Sequence, residues 1–161
     1  MAKSVFLSFY FAGDVSRVQQ IRNIGAVEGD SVVSAQEWET VAGKGETAIK
    51  NWIEAQMKYK NAVVVLVGGL TASRPWVKYE IEKAWQDKRP LVGIRIHGLA
   101  DLNGKTGTIG DNPFDNIIDA NGKLLSSHIS LHNPSGSDSK AVYATIRDNF
   151  ESWVASAVKR T

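Results

Sequence analysis

The chain has no cysteine. Disulfides, thiol nucleophiles and cysteine-ligated metals are therefore excluded, and a reducing compartment is compatible with the composition. Charge of either sign is scarce in excess: 19 Lys and Arg against 17 Asp and Glu leave a net charge of +2. The only clustered cations at the end are Lys159 and Arg160. An electrostatic footprint for nucleic acid is thus missing. No apolar stretch is long enough to span a membrane, and no internal repeat is found. The apolar run from Val5 to Gly13 follows Lys3, but it is short for a secretory leader, carries Ser8 and Tyr10, and precedes no A-x-A-like cleavage site. A buried first strand accounts for it better. The protein is read as cytoplasmic, with neither nucleic acid nor membrane as partner.

What is present suits one folded domain over residues 1–161, with 43% hydrophobic and 22% charged residues. Val5 to Phe9 reads as a strand, followed by a helix with Val15, Val18, Ile21 and Ile24 at helical spacing and Asp14 as its cap. Ser31 to Ala35 reads as a weak second strand, and Gln36 to Gly45 as a loop holding Trp38 and Glu39. A helix opening at Thr47 places Ile49, Trp52, Ile53 and Met57 on one stripe. Ala62 to Val67 is apolar throughout, as expected of a strand covered on both faces. A helix from about Ser73 to Asp87 follows, with Pro75 in its first turn, where the missing N–H costs nothing. Leu91 to Ile96 is the fourth strand, 103–122 a long Gly-, Asn- and Asp-rich loop or insertion, and Leu124 to Leu131 holds a fifth strand. Ser139 caps a final helix over 139–158. This alternation predicts an α/β fold, a three-layer α/β/α sandwich around a central parallel sheet.

Among the chemistry-bearing residues, Glu80 stands out. Strand, short loop and helix start put it one turn into a helix at the carboxyl end of the sheet, where open α/β folds bind ligands. A lone acid there can stabilise positive charge developing on a sugar. The plainer alternative is a surface acid paired with Lys78 or Lys83. Other signals fail on spacing. Gly98 to Thr106 has five residues between its glycines where a phosphate loop needs four. His128 and His132 lack the glutamate of a metalloprotease helix, and Asp111, Asp115, Asp119 and Asn121 lack EF-hand spacing, so no metal site is expected and the acids read as solvated turns. The third strand ends in Gly68-Gly69 without the aspartate a phosphorelay receiver needs.

Two segments carry a family resemblance. Val5-Phe6-Leu7-Ser8-Phe9, with Asp14 after it, resembles the first box of Toll/interleukin-1 receptor (TIR) domains. Ser73-Arg74-Pro75-Trp76-Val77-Lys78-Tyr79-Glu80-Ile81 resembles the segment holding the catalytic glutamate of TIR-type NAD glycohydrolases. The likeness runs over 2–102, includes Arg22-Asn23, Trp38-Glu39 and Gly93 to His97, and is nearest to the bacterial TIR-like family of Thoeris antiphage defence. The resemblance implies a flavodoxin-like/TIR-like fold and NAD⁺ as substrate rather than cofactor. It implies release of nicotinamide and an ADP-ribose-derived, cyclic signal that activates a separate effector after a phage-derived trigger. It assigns Glu80 as catalytic and makes Ser8, Phe9, Tyr10, Asp14, Trp38 and Trp76 candidate substrate contacts, with the Trp38 loop also docking a second copy. Phe9 and Trp76 can equally be core residues, and Asp14 a helix cap. Two rival readings stay open: a non-catalytic adaptor assembling through the Trp38 loop, and a nucleotide-sensing domain without turnover.

Overall fold

The structure, a computed structural model, describes residues 3–24, 27–28 and 43–161. The expected strand at Ser31 to Ala35 and the loop residues Trp38 and Glu39 lie outside them. Among the described residues five strands form one parallel sheet: β1 (Lys3–Ser8), β2 (Val27–Glu28), β3 (Ala62–Val67), β4 (Leu91–Arg95) and β5 (Leu131–His132). Their order is β2-β1-β3-β4-β5, the flavodoxin-like winding anticipated above. Among the described residues the helices are α1 (Phe11–Arg22), α2 (Glu46–Met57), α3 (Pro75–Gln86) and α4 (Ser139–Ala155).

The side-chain period of two along each strand sorts these helices into layers. Val63, Val65 and Val67 of β3 share a core with Ile49, Ile53 and Met57 of α2 and Val77, Ile81 and Ala84 of α3. Val64 and Leu66 share the opposite core with Val18 and Ile21 of α1 and Val142, Ile146, Phe150 and Val154 of α4. Every β3 residue is buried, and full burial of such side chains contributes roughly 1.5–3 kcal/mol each. That double coverage is why the run has no polar alternation. The chain leaves β1 toward β2 on one side and β3 toward β4 on the other, so the switch in winding direction falls between β1 and β3.

Several expected ends move by one to three residues. The fifth strand, expected over Leu124 to Leu131, is Leu131–His132 alone, because Leu125–Ser127 turns as a 3₁₀ helix that buries Leu125. Three further expectations are corrected. Helix α1 begins at Phe11 with Tyr10 as its N-cap residue, so Asp14 is not the cap; its own N–H already bonds the Tyr10 carbonyl. Helix α4 is capped by Asp138, whose side chain accepts from Ala141 N–H at 2.8 Å, rather than by Ser139. Ser139 Oγ instead accepts from Ala100 N–H at 2.7 Å, fastening α4 to the loop after β4. The 103–122 stretch is not only solvated loop. It contains a 3₁₀ turn, Pro113–Asn116, that delivers Phe114 wholly into the core. Phe114 fits because Gly93 leaves room: a Cβ at Gly93 would meet its ring at 2.8 Å.

The rejected phosphate loop is a tight turn. Asp101 Oδ1 accepts from the N–H groups of Asn103 and Lys105, and Gly104 has φ +75°. The same turn recurs at Asp119, with Asn121, Lys123 and Gly122 at φ +79°. Both are spelled Asp-x-Asn-Gly-Lys, a turn motif whose glycine meets the left-handed conformation the turn requires.

Candidate active site

Ser8 is the last residue of β1 and Glu80 lies on α3. Strand parity brings them together. Ser8 points the same way as Phe6, toward the layer holding α3. On α3 the inward stripe is Val77, Glu80, Ile81 and Ala84, a helical spacing that turns Glu80 into the sheet. Ser8 is fully buried and Glu80 is 8% exposed. Ser8 Oγ donates a hydrogen bond of 2.7 Å to Glu80 Oε1. Burial pushes the Glu80 carboxyl from 4.5 up to about 8, and the Ser8 bond pulls the other way without matching it. The surface-acid alternative is thereby removed: Lys83 pairs instead with Glu54 and Asp87.

Glu80 forms part of the wall of a cavity of about 260 Å³. The cavity lies at the carboxyl end of β1, beside the switch point. Phe9, Tyr10 and Phe11 line it from the β1–α1 connection, Trp52 and Gln56 from α2, and Trp76 and Val77 from α3. Four of the expected contacts therefore converge: Phe9, Tyr10 and Trp76 on the wall, and Ser8 through Glu80. Trp76 meets Tyr79 edge-on at 5.6 Å between centroids, and Phe9 lies 5.9 Å from Phe11. Flat aromatic walls of this kind suit a planar heterocycle. Among the cavity-lining residues Glu80 is the single acid, and Lys60 and Arg74 are the cations.

Asp14 is not on this wall. Helix α1 covers the other face of the sheet, so its inward residues point away from Glu80. Asp14 is buried against Gly68 at the end of β3 and bonds Arg17 Nη1 at 2.9 Å. Burial pushes its carboxyl up, and Arg17 pulls it part of the way back. Arg17 also donates to the carbonyls of Leu99 at 2.8 Å and Lys105 at 3.1 Å. This buried pair holds the loop after β4 onto α1. Trp38 lies outside the described residues.

Sequence reasoning missed Trp52, Gln56, Lys60 and Arg74 as cavity residues. Arg74 was in view as part of the Glu80 segment, and its position six residues before the acid was the available signal. Lys60 and Gln56 carried none, since only the crossing of α2 over the sheet brings them near. The two histidines separate. His128 stacks on Trp85 and lies 2.8 Å from Asp119, whereas His132 stacks on Trp153 with centroids 4.6 Å apart.

A family model described as "Thoeris protein ThsB, TIR-like domain" matches residues 6–101. That span is more than half the chain and contains Ser8, Arg74, Trp76 and Glu80. A protein of Bacillus cereus (strain MSX-D12) named "Putative cyclic ADP-D-ribose synthase ThsB1" is 32% identical over 120 residues, covering 71% of this chain and 62% of that protein. The matched part thus spans less than two thirds of the relative's length. On these matches, the chain belongs to the TIR-like family of the Thoeris protein ThsB.

Proposed function

We propose that the protein cleaves the bond between nicotinamide and ribose in NAD⁺ and passes the ADP-ribose on as a cyclic signal in antiphage defence. The observation that carries this reading is the buried Glu80, bonded by Ser8 at the wall of an aromatic cavity at the switch point of the sheet. The name of the Bacillus cereus relative supports the same product class.

The chemistry follows from charge. The electrons of the C1′–N bond leave with nicotinamide, which departs as a neutral base, and positive charge remains on C1′ and the ring oxygen of ribose. The leaving group needs no proton, so one acid suffices. In the free site Glu80 holds its proton at neutral pH because desolvation disfavours the anion. The pyridinium charge of NAD⁺ favours the carboxylate, so binding expels that proton. The carboxylate then faces the developing ribosyl cation in a medium where its field is weakly screened. A nucleophile closes the reaction on C1′: a site on the same molecule gives a ring, and water gives free ADP-ribose. Glu80 then takes the proton the nucleophile sheds. Activation by a phage-derived trigger and assembly through the Trp38 loop complete the reading, because unregulated NAD⁺ consumption would harm the host.

The test is incubation of purified protein with NAD⁺, with and without lysate of phage-infected cells, following nicotinamide and cyclic ADP-ribose species by chromatography with mass detection. Turnover by the parent and a loss of at least about 10²–10³ in rate for Glu80→Gln is expected. Intact NAD⁺ under both conditions would sink the proposal and leave the adaptor reading in its place.

A further inference from the structure

Four buried side-chain nitrogens among the described residues have no hydrogen-bond partner: Arg74 Nε, Arg89 Nε, His97 Nδ1 and His132 Nε2. Buried donors are satisfied in the great majority of cases. Of these four residues, only Arg74 lines the cavity. Its guanidinium lies over the face of Tyr10, with Cζ 4.0 Å from the ring centroid. The ring strips water from one side of the guanidinium, but it supplies no countercharge. No acid among the described residues is paired with Arg74, and none is paired with Lys60, the other cation of the wall. The cavity therefore places a held, partly dehydrated cation on the same wall as its single acid, with nothing among the described residues to neutralise it.

We propose that Arg74 binds the diphosphate of a dinucleotide whose reacting ribose sits at Glu80, with Lys60 adding positive charge. This inference rests on the reading of Glu80 given above. Arg74 and Glu80 are six residues apart, about 9 Å along the chain axis at helical rise, and both side chains reach into one cavity. In a dinucleotide the first phosphate hangs from the same ribose that carries the reacting carbon. A sugar held at Glu80 thus brings a phosphate one sugar's width away. A planar guanidinium suits that group because it can give two parallel N–H bonds to a phosphate's oxygens. The cavity volume of about 260 Å³ is below the usual range for whole cofactors. It fits the nicotinamide riboside half, with the rest of the molecule extending past Arg74. The site then selects for the phosphate as well as for the base, and a nucleoside lacking phosphate would be a poor substrate.

The experiment is titration calorimetry in the Glu80→Gln background, chosen to slow turnover, with ADP-ribose and nicotinamide riboside as separate probes. Arg74→Met is expected to weaken ADP-ribose by about 10- to 100-fold, the range of a lost charge-assisted bond. Nicotinamide riboside should change by less than twofold, Arg74→Lys should recover part of the affinity, and the salt dependence of ADP-ribose binding should flatten. Thermal melts confirm that both variants are folded. ADP-ribose binding within twofold of the parent in Arg74→Met would overturn the proposal. Equal weakening of both probes would also overturn it, since Arg74 would then only hold Tyr10 in place. So would failure of ADP-ribose to bind the parent. The two readings fail separately: Arg74-dependent ADP-ribose binding without NAD⁺ turnover removes the chemistry assigned to Glu80 but keeps the phosphate site. Turnover with an unchanged KM in Arg74→Met does the reverse.

Discussion

Replacing Glu80 by Gln should stabilise the protein, and by an amount that grows with pH. The carboxyl rises from 4.5 to about 8 on folding. The folded state therefore holds a proton that the unfolded chain gives up between those values, and stability falls as pH rises through that window. Below about pH 4.5 both states are protonated and the group costs nothing. At pH 7 the full penalty is about 3 kcal/mol, and above pH 8 about 5 kcal/mol. The 8% of Glu80 that stays exposed opens on the cavity, and water there relieves part of this, so about 2–3 kcal/mol should be measurable at pH 8.5. Gln is neutral throughout and its carbonyl can still accept from Ser8. Urea unfolding of both proteins, followed by tryptophan fluorescence from pH 5 to 9, should give coincident stabilities at the acid end. The curves should then diverge, with melting temperatures about 5–10 °C apart at the basic end. Parallel curves over the whole range would refute the reasoning, because they would mean the carboxylate is as well solvated folded as unfolded.

Other perturbations address the neighbouring parts. Ser8→Ala removes the donor that favours the Glu80 anion. The limb of kcat/KM against pH should move up by about one pH unit, which a rate profile from pH 6 to 9.5 would show. Arg17→Met leaves Asp14 buried without its partner and should cost about 3–5 kcal/mol in denaturant unfolding. Adding Asp14→Asn should recover a large share of that loss, and its failure to do so would show that Arg17 acts mainly through the carbonyls of Leu99 and Lys105. Phe114→Ala should cost about 3–5 kcal/mol, since the residue is fully buried. A cost below about 1 kcal/mol would restore the reading of 103–122 as solvated loop.

Much of the architecture was legible in one dimension. The unbroken apolar run Ala62 to Val67 can only be satisfied with cover on both faces, and helical spacing on either side supplies that cover. The Glu80 segment could be placed at the carboxyl edge of the sheet because a proline at the first helical position marks the helix start. The site was legible in part. Asp14 was misplaced because its distance from strand one suits a cap, and nothing local says that Tyr10 already opens the helix. Phe114 was hidden among turn formers, as its burial depends on the space left by Gly93, which is distant in sequence. The two Asp-x-Asn-Gly-Lys turns were readable and show that a short motif can fix a local conformation unaided.

The sequence by itself determined the layers, because side-chain period and apolar content are properties of a segment and its nearest neighbours. It also determined the family, through segments whose residues stand in order. Only the tertiary structure decided the state of the site. Ser8 meets Glu80 across 72 residues of chain, and the burial that keeps the acid protonated comes from β1, α2 and α3 together. Desolvation is a property of the assembled surroundings, so no segment carries it alone. The same holds for Arg74, a charged residue in an ordinary polar turn until Tyr10 lies under it.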